Sequence, residues 1–210
     1  MRNLVVVILG LFVWITHSTS RADLVTYQLN GTIDVEFNTD GEFSVGDAMT
    51  ATFTLDHAAS PTGTTATLAS FDNAVTGLTV SFPAANGGAG YTVTGIGPSA
   101  NSTNLVGFDQ FQILVNDANA ADVNGAPFDY LTLGWIDATD SAFSVIPPPL
   151  GDPTDAAWSQ RAFELSWGSG LVAGSFTTTA VPEPSPAIAI VICTSICLIG
   201  KLLLRAIQVD

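Results

Sequence analysis

Apolar and polar residues alternate one by one over much of the chain, and this period of two is typical of β-strands that bury one face. Near the start of the alternating region the pattern runs through residues 25–29, stops at Asn30-Gly31 and resumes over residues 33–37. Asn-Gly is a preferred two-residue turn in β-hairpins because both residues accept positive φ angles. The sequence therefore predicts a hairpin that turns at Asn30-Gly31.

Seven further segments alternate in the same way, and each is predicted to form a strand. They cover residues 50–55, 77–82, 91–94, 108–115, 128–135, 162–167 and 171–178. Clusters of Gly, Asn, Asp, Ser and Pro separate them, as expected for turns. Many short strands joined by such turns, with no convincing helical periodicity, predict an all-β fold. We expect an antiparallel, jelly-roll-like β-sandwich.

The alternation also predicts which side chains fill the core. One face of the predicted strands carries Phe53, Leu55, Leu78, Val80, Phe82, Phe111, Ile113, Val115, Phe163, Leu165 and Trp167. The proline-rich residues 145–155 cannot continue a central strand, because proline has no backbone N–H to donate. Residues 155–160 after them are predicted to form one helical turn.

The first 22 residues have the order of parts of a secretory signal peptide. Arg2 supplies a charged start, residues 4–15 form an apolar core, and small residues surround the predicted cleavage site between Ala22 and Asp23. We expect cleavage before Asp23. An uncleaved N-terminal membrane anchor is the alternative, although residues 4–15 are short for a membrane span.

The C-terminal residues 181–210 contain the triplet Pro182, Glu183 and Pro184. Proline fixes φ and lacks a backbone donor, so the two prolines predict an extended, non-helical segment. The apolar stretch at residues 187–200 predicts a helix, since a segment in lipid must satisfy its amides internally. The triplet is thus placed where water meets membrane.

The apolar stretch is marginal as a membrane span. It has 14 residues, whereas a span needs about 20, and it lengthens to residue 204 if the long side chain of Lys201 reaches the head groups. Lys201 and Arg205 at its far end predict that the short tail stays in the cytoplasm while the residues before Pro182 lie outside. We therefore expect one C-terminal transmembrane helix.

This order of triplet, apolar span and basic end resembles the PEP-CTERM sorting signal of bacterial envelope proteins. In that family an exosortase, which is an integral membrane enzyme, processes the signal and passes the exported domain to the cell surface. The resemblance implies that the triplet is the recognition motif and that Lys201 with Arg205 is the membrane stop. It also implies an exosortase-like enzyme as a partner.

The resemblance further implies a function. Residues 43–47 and 50–56 are similar to a recurrent block of PEP-CTERM β-sandwich proteins, which are surface or matrix proteins often associated with exopolysaccharide and biofilm. We expect a signal peptide at 1–22, an exported domain at 23–180 and a sorting signal at 181–210. The expected product is a non-enzymatic cell-surface or extracellular-matrix protein. A permanently membrane-anchored adhesin or carbohydrate-binding module is the alternative.

The predicted exported domain is strongly acidic. Residues 23–180 hold 17 of the 19 carboxylates of the chain, and Arg161 is their only lysine or arginine. Nucleic-acid affinity depends mainly on basic residues that neutralise phosphates, so a nucleic-acid partner is excluded. Both cysteines, Cys193 and Cys197, lie in the tail. The domain therefore has no disulfide.

Few catalytic side chains are available in residues 23–180. They include one histidine, His57, and neither cysteine nor lysine, which excludes thiol, Schiff-base and multi-histidine metal catalysis. A serine hydrolase would need His57, and the sequence has no G-x-S-x-G motif. We expect no enzymatic activity. A secreted glycosidase is the remaining alternative, because two carboxylates suffice for glycoside hydrolysis.

Several side chains with oxygen atoms lie in the segment between the strands predicted at residues 108–115 and 128–135. Asp117, Asn119, Asp122 and Asn124 lie there, and oxygen-rich loops of this kind are candidates for binding Ca²⁺. The spacing does not match an EF-hand loop. We favour the interpretation that these residues only turn the chain, and a Ca²⁺ site is the alternative.

Three aromatic residues form a candidate platform on which sugars could stack. Tyr130 and Trp135 lie in a predicted strand, and Trp158 follows the proline-rich segment. Aromatic residues at alternating strand positions more often point into the core. Core packing is therefore the favoured interpretation, and the sugar platform is the alternative.

Overall fold

Twelve strands make up the part of the chain that the structure describes. A computed structural model of the chain describes residues 24–168 and 170–181. The strands are β1 (Leu24–Phe37), β2 (Ala48–Asp56), β3 (Gly63–Thr64), β4 (Leu68–Phe71), β5 (Val75–Phe82), β6 (Tyr91–Gly95), β7 (Ser99–Leu105), β8 (Phe108–Val115), β9 (Ala118–Ala120), β10 (Phe128–Asp137), β11 (Gln160–Trp167) and β12 (Gly170–Val181). Apart from a 3-10 turn at Asn86–Gly88, these residues contain no helix. The all-β prediction is confirmed.

All twelve strands belong to one curled antiparallel sheet, ordered β3-β4-β7-β8-β10-β11-β12-β1-β2-β5-β6-β9. Aromatic contacts connect strands that are far apart in this order. The rings of Phe53 in β2 and Trp135 in β10 lie 6.1 Å apart, and those of Phe82 in β5 and Phe163 in β11 lie 5.7 Å apart. In this order the strands from β3 to β12 form one half of the sheet, and those from β1 to β9 form the other. The sheet therefore curls until the inner faces of these two halves meet. This arrangement is sandwich-like, and the jelly-roll connectivity stays a prediction.

A hydrophobic core lies between the two halves of the sheet. All eleven side chains predicted to face inward are buried. Trp135 occupies a central place, because its ring contacts Phe53, Phe111 and Phe176 at centroid distances of 5.1 to 6.1 Å. Buried aromatic rings remove large apolar areas from water. The stability of a domain without disulfides depends mainly on such burial.

The predicted hairpin at Asn30-Gly31 is wrong, because β1 runs through both residues without turning. Gly31 is needed for a different reason: a Cβ atom there would collide with the backbone carbonyl oxygen of Ser175 in β12. Gly174 of β12 repeats the arrangement, since a Cβ atom on it would collide with the carbonyl oxygen of Thr32. Both glycines permit a close approach of two backbones, which is a known use of glycine within strands.

Side-chain hydrogen bonds show how β12 lies against β1. The Thr177 hydroxyl donates to the backbone carbonyl of Asn30 at 3.2 Å, and the Thr179 hydroxyl donates to that of Gln28 at 3.3 Å. The residue further along β12 bonds to the residue nearer the start of β1, so the two strands are antiparallel. This pair joins the first and last strands of the chain and connects the two halves of the sheet.

Strands β3, β4, β7 and β9 are not predicted by the hydrophobic alternation. The longest of them is β7, whose inward positions hold Ala100 and Ser102. Small and polar residues at inward positions give no apolar signal of period two. The other three have two to four residues each, which is too short for a periodic pattern.

The helical turn predicted for residues 155–160 is also wrong. Separate hydrogen-bonded turns occupy the start of this segment, and β11 begins at its end. The carboxylate of Asp155 accepts a hydrogen bond from the backbone N–H of Ala157 at 2.9 Å. Such local side-chain bonds offer the backbone an alternative to helical hydrogen bonds.

Candidate functional site

An open groove of about 680 Å³ crosses the outer face of β10, β11 and β12. Successive strand residues point to opposite faces of a sheet, so the face opposite the core supplies most of the lining. The floor is low because Gly134, Ala162 and Ala173 have little or no side chain. Gln110 and Glu164 stand beside this floor. The groove therefore offers an extended surface of mixed polar and apolar character across several strands.

Hydrogen-bonding groups of both kinds line the groove. The Arg161 guanidinium donates to the carbonyl oxygens of Trp158 at 3.0 Å and Asp155 at 3.2 Å, while its buried Nε has no partner in the structure. Glu164 accepts a hydrogen bond from the Tyr130 hydroxyl, which raises the pKa of Tyr130. A surface of donors and acceptors without a basic cluster suits hydroxyl-rich ligands better than phosphates.

The sugar platform considered for Tyr130, Trp135 and Trp158 is not formed, and the favoured core packing is confirmed for both tryptophans. Trp135 is fully buried, and its Nε1 donates to the Thr178 hydroxyl at 3.0 Å. Trp158 is 3% exposed and packs edge-on against Phe143, with ring centroids 5.5 Å apart. Both indole faces are therefore closed to a sugar. Tyr130 is half-buried, and its hydroxyl bonds to Glu164, which lines the groove.

Two fully buried carboxylates, Asp109 and Asp137, are paired across β8 and β10. Asp137 accepts five hydrogen bonds at 2.6 to 3.0 Å from the backbone and hydroxyl groups of Thr139 and Ser141 and from the backbone of Ala142. These bonds hold the pKa of Asp137 well below its usual range, with the Thr139 hydroxyl contributing most. Asp137 thus fixes the loop that follows β10.

Asp109 has the opposite surroundings. Its Oδ2 accepts a hydrogen bond from the backbone N–H of Phe143 at 2.8 Å, whereas its buried Oδ1 has no partner in the structure. Burial raises the pKa of Asp109, and the charges of Asp140 and Asp137 raise it further. Two acids with divergent pKa values could serve glycoside hydrolysis. Because neither carboxylate reaches solvent, this pair cannot contact a substrate, and its role is structural.

The variant Asp137→Asn is expected to lower the free energy of unfolding at pH 7 by about 2 kcal/mol or more. An amide nitrogen would replace one acceptor oxygen and face N–H and O–H donors. Folding lowers the pKa of Asp137, so its stabilising effect is present above the unfolded-state pKa of about 3.9 and is lost as the pH falls below that value. Urea unfolding at pH 7 and at about pH 3 should show a deficit that shrinks in acid.

The matched variant Asp109→Asn tests the opposite sign. Folding raises the pKa of Asp109, so its contribution to stability is complete below about pH 3.9 and declines as the pH rises. A neutral amide removes this decline, and stability at pH 7 is expected to equal or exceed that of the wild type. If Asp109→Asn is the less stable of the two variants at pH 7, the assigned roles of the two carboxylates are wrong.

The histidine of the described part, His57, is bound to a tyrosine. The Tyr27 hydroxyl lies 2.7 Å from His57 Nε2 and donates to Asp152 at 3.4 Å. Burial and the nearby Asp152 carboxylate raise the pKa of Tyr27. These contacts connect β1, the end of β2 and the proline-rich loop. His57 therefore has tyrosine rather than serine as its hydrogen-bond partner, which does not match a serine-hydrolase triad.

The calcium candidates lie along an edge strand and a turn. Asp117 lies directly before β9, Asn119 lies within it, and Asp122 is an exposed residue after it. Asn124 and Gly125 have φ angles of 53° and 75° and form a tight turn. The described residues include no group of three or more His, Cys, Asp or Glu side chains arranged to hold a metal. For Asn124 the geometry supports the favoured turn-forming interpretation.

The residues predicted to direct export lie outside the described part. They are Ala22 and Asp23 at the signal cleavage site, Pro182, Glu183 and Pro184 in the triplet, and Lys201 and Arg205 at the membrane stop. β12 ends at Val181, directly before the triplet. Within residues 24–168 and 170–181, no helix is long and apolar enough to cross a membrane.

The groove residues were not predicted from the sequence. Their best sequence signal is the run of polar residues at alternate positions of one strand, such as Gln110 and Gln112 in β8. Such a run indicates a solvent-facing side and does not indicate a ligand. Comparisons of the chain with protein-family models, with curated proteins and with solved structures give no match in any of the three.

Proposed function

We propose that the chain is a non-enzymatic, exported surface or matrix protein. Its body, which is the exported domain at residues 23–180, is a jelly-roll-like β-sandwich. An exosortase-like membrane enzyme recognises Pro182-Glu183-Pro184 and cuts near it, and the body is then delivered to the cell surface. The observation that carries this proposal is the triplet, apolar segment and basic end directly after the last strand. Support comes from the position of β12, which ends at Val181. Cleavage after this point would leave every strand intact.

The charge of the body also supports an exterior location. Residues 23–180 have one arginine and 17 carboxylates, so neighbouring copies repel each other at neutral pH. The described surface carries acidic residues without a basic patch for nucleic acid. Association with exopolysaccharide would therefore depend on hydrogen bonds or on bridging cations rather than on direct ion pairing with anionic sugars.

Glu183→Ala is expected to block processing in cells that contain an exosortase-like enzyme. The substitution removes the carboxylate between the two prolines and leaves the span and the body unchanged. We expect full-length protein to accumulate in the membrane fraction, whereas the wild type appears as a shorter surface form. Fractionation followed by immunoblotting with an antibody against the body measures the difference.

Pro186→Ala is the matched control, since Pro186 lies just outside the triplet. It should be processed like the wild type. If Glu183→Ala, Pro186→Ala and the wild type all remain full length in the membrane, the protein is a permanently anchored adhesin or binding module. If all three are shortened equally, the triplet is not the recognition element.

A second candidate function is polysaccharide binding in the groove over β10, β11 and β12. Its mixture of amide, carboxylate and guanidinium groups over a floor of small residues favours this function.

The double variant Gln110→Ala/Glu164→Ala should weaken binding to a polysaccharide panel about tenfold or more. Gln28→Ala is the control, because Gln28 is exposed on β1 outside the groove. Equal polysaccharide binding by the double variant and by Gln28→Ala would exclude the groove as the binding site. Turnover of a polysaccharide would favour the glycosidase alternative.

A further inference from the structure

Exposed aliphatic side chains cluster at one end of the body. Leu105 ends β7 and Val106 follows it in the turn to β8, while Val145 and Ile146 lie in the loop between β10 and β11. Leu105 is 45% exposed, Val145 and Ile146 are 59% and 62% exposed, and Val106 is completely exposed. Single exposed apolar residues are normal, whereas a group of them marks an interaction surface. These four residues are named the apolar tip.

Hydrogen bonds hold the two segments of the apolar tip together. The side-chain amide of Asn104 donates to the backbone carbonyl of Phe143 at 2.8 Å. The backbone N–H of Gly107 donates to the carboxylate of Asp140 at 3.2 Å. These bonds lie on either side of residues 105–106, so they fix the turn against the loop. The four aliphatic side chains therefore belong to one surface.

The apolar tip lies at the end of the body where the last strand ends. Asp109 at the start of β8 pairs with Asp137 at the end of β10. Because β10, β11 and β12 are antiparallel neighbours, β11 begins and β12 ends on this same side. β12 ends at Val181, and residues 182–186 separate it from the predicted span at 187–204. Such a five-residue segment reaches at most about 18 Å.

A lipid surface is the partner that this position favours. A membrane span would keep this end of the body within about 18 Å of the head groups, so that even a weak contact with lipid would be well populated. Aliphatic side chains gain free energy when they leave water for the acyl-chain boundary. Asp140 stands exposed beside the apolar tip, and its charge disfavours anionic lipids.

We propose that the apolar tip inserts into the surface of a zwitterionic bilayer. The contact holds the body, and with it Pro182-Glu183-Pro184, against the membrane until the tail is cut. Once the tail is lost, the contact no longer has the benefit of the tether and the body can leave the membrane. The inference rests on the membrane span of the proposed function, but it does not depend on cleavage.

Quenchers carried by lipids test the contact in the full chain. The chain is expressed in cells without an exosortase-like enzyme, so that its tail is retained, and serine replaces both native cysteines, Cys193 and Cys197. A fluorophore is attached at Val106→Cys or at the control position, Val45→Cys. The protein is then reconstituted into phosphatidylcholine vesicles whose acyl chains carry nitroxide groups, and the loss of fluorescence is measured.

Val45 is the matched control because it is also an exposed valine, at 64%, and lies in the loop between β1 and β2 at the opposite end of the body. The eight residues of β8 separate the two ends by about 25 Å. Nitroxides quench only at short range, so quenching at position 106 should exceed quenching at position 45 by at least about fivefold.

The double variant Leu105→Ser/Val106→Ser tests whether the apolar side chains make the contact. With the fluorophore at Val145→Cys, these two changes should lower the quenching at position 145 by at least about threefold. Both residues lie outside the buried core, so the fold is retained. Unchanged quenching in the double variant would overturn the proposal.

Flotation of the protein with the vesicles distinguishes the possible failures. If the chain floats but positions 106 and 45 are quenched equally, the apolar tip does not insert, while the span remains supported. If the chain does not float, the span and this inference both fail. A fluorophore at position 106 that lipid does not quench, yet that is shielded from iodide in the water, would indicate contact with a second copy and would also overturn the proposal.

Discussion

The substitution Gly174→Ala is expected to be one of the two most destabilising single-residue changes in the body. A Cβ atom at this position would collide with the backbone carbonyl oxygen of Thr32 and with the ring of Phe163. A backbone atom cannot rotate away as a side chain can, so β1 and β12 would have to separate where they join the two halves of the sheet. We expect a loss of at least about 3 kcal/mol in the free energy of unfolding.

Thermal unfolding measures this loss as a fall in Tm of about 6 to 12 °C. Gly134→Ala is the control, because a Cβ atom there would meet its nearest neighbour, the carbonyl oxygen of Ala162, at an ordinary distance of 3.7 Å. The control should change the Tm by about 2 °C or less. Gly31→Ala should behave like Gly174→Ala, because its Cβ would collide with Ser175. Equal Tm values for Gly174→Ala and Gly134→Ala would contradict the described contact between β1 and β12.

Trp135→Ala should have an effect of similar size, a loss of about 3 to 5 kcal/mol in the free energy of unfolding. Trp135 is fully buried, and its ring meets Phe53 from the opposite half of the sheet at 6.1 Å. Truncation would remove the central contact between the halves and leave the hydroxyl of Thr178 without its indole donor. Urea unfolding followed by circular dichroism measures the change without depending on tryptophan emission.

Tyr130→Phe is the control that separates the structural role of Trp135 from a role in sugar binding. Tyr130 lies in the same strand but is half-buried, and its hydroxyl bonds to Glu164. Its loss should cost about 1 kcal/mol or less. A Trp135→Ala protein as stable as Tyr130→Phe, but weaker in sugar binding, would restore the aromatic-platform interpretation.

The strands that the sequence predicts best are those with one fully apolar face. In β8, Phe111, Ile113 and Val115 are fully buried and alternate with Gln110 and Gln112, and the strand begins and ends at the predicted residues. Local alternation suffices here because burial on one face is the dominant energetic term. In β7 the inward positions are small or polar, so pairing with β4 and β8 determines the strand instead.

The dipeptide Asn-Gly occurs three times in the chain, and it turns the chain at Asn86-Gly87 and Asn124-Gly125 but not at Asn30-Gly31. At Asn124-Gly125 both residues have positive φ and the chain turns. At Asn30-Gly31 the chain continues as β1, because β12 packs against it. That contact joins residues 147 positions apart in the sequence. No local pattern contains this information.

The candidate groove illustrates the same limit. It combines side chains of β8, β10, β11 and β12, which no local pattern brings together. For Trp135 and Trp158 the sequence favoured core packing over an exposed sugar platform, and both are buried in the core. Trp167 was likewise assigned to the core, which is confirmed.

The intact mass of the mature protein, purified from cells that contain an exosortase-like enzyme, shows whether both termini are removed during export. We expect a surface form that begins near Asp23 and ends near Pro182-Glu183-Pro184, with every strand of the body retained. A mass that includes both termini, from Met1 through Asp210, in protein recovered from the cytosol would contradict it.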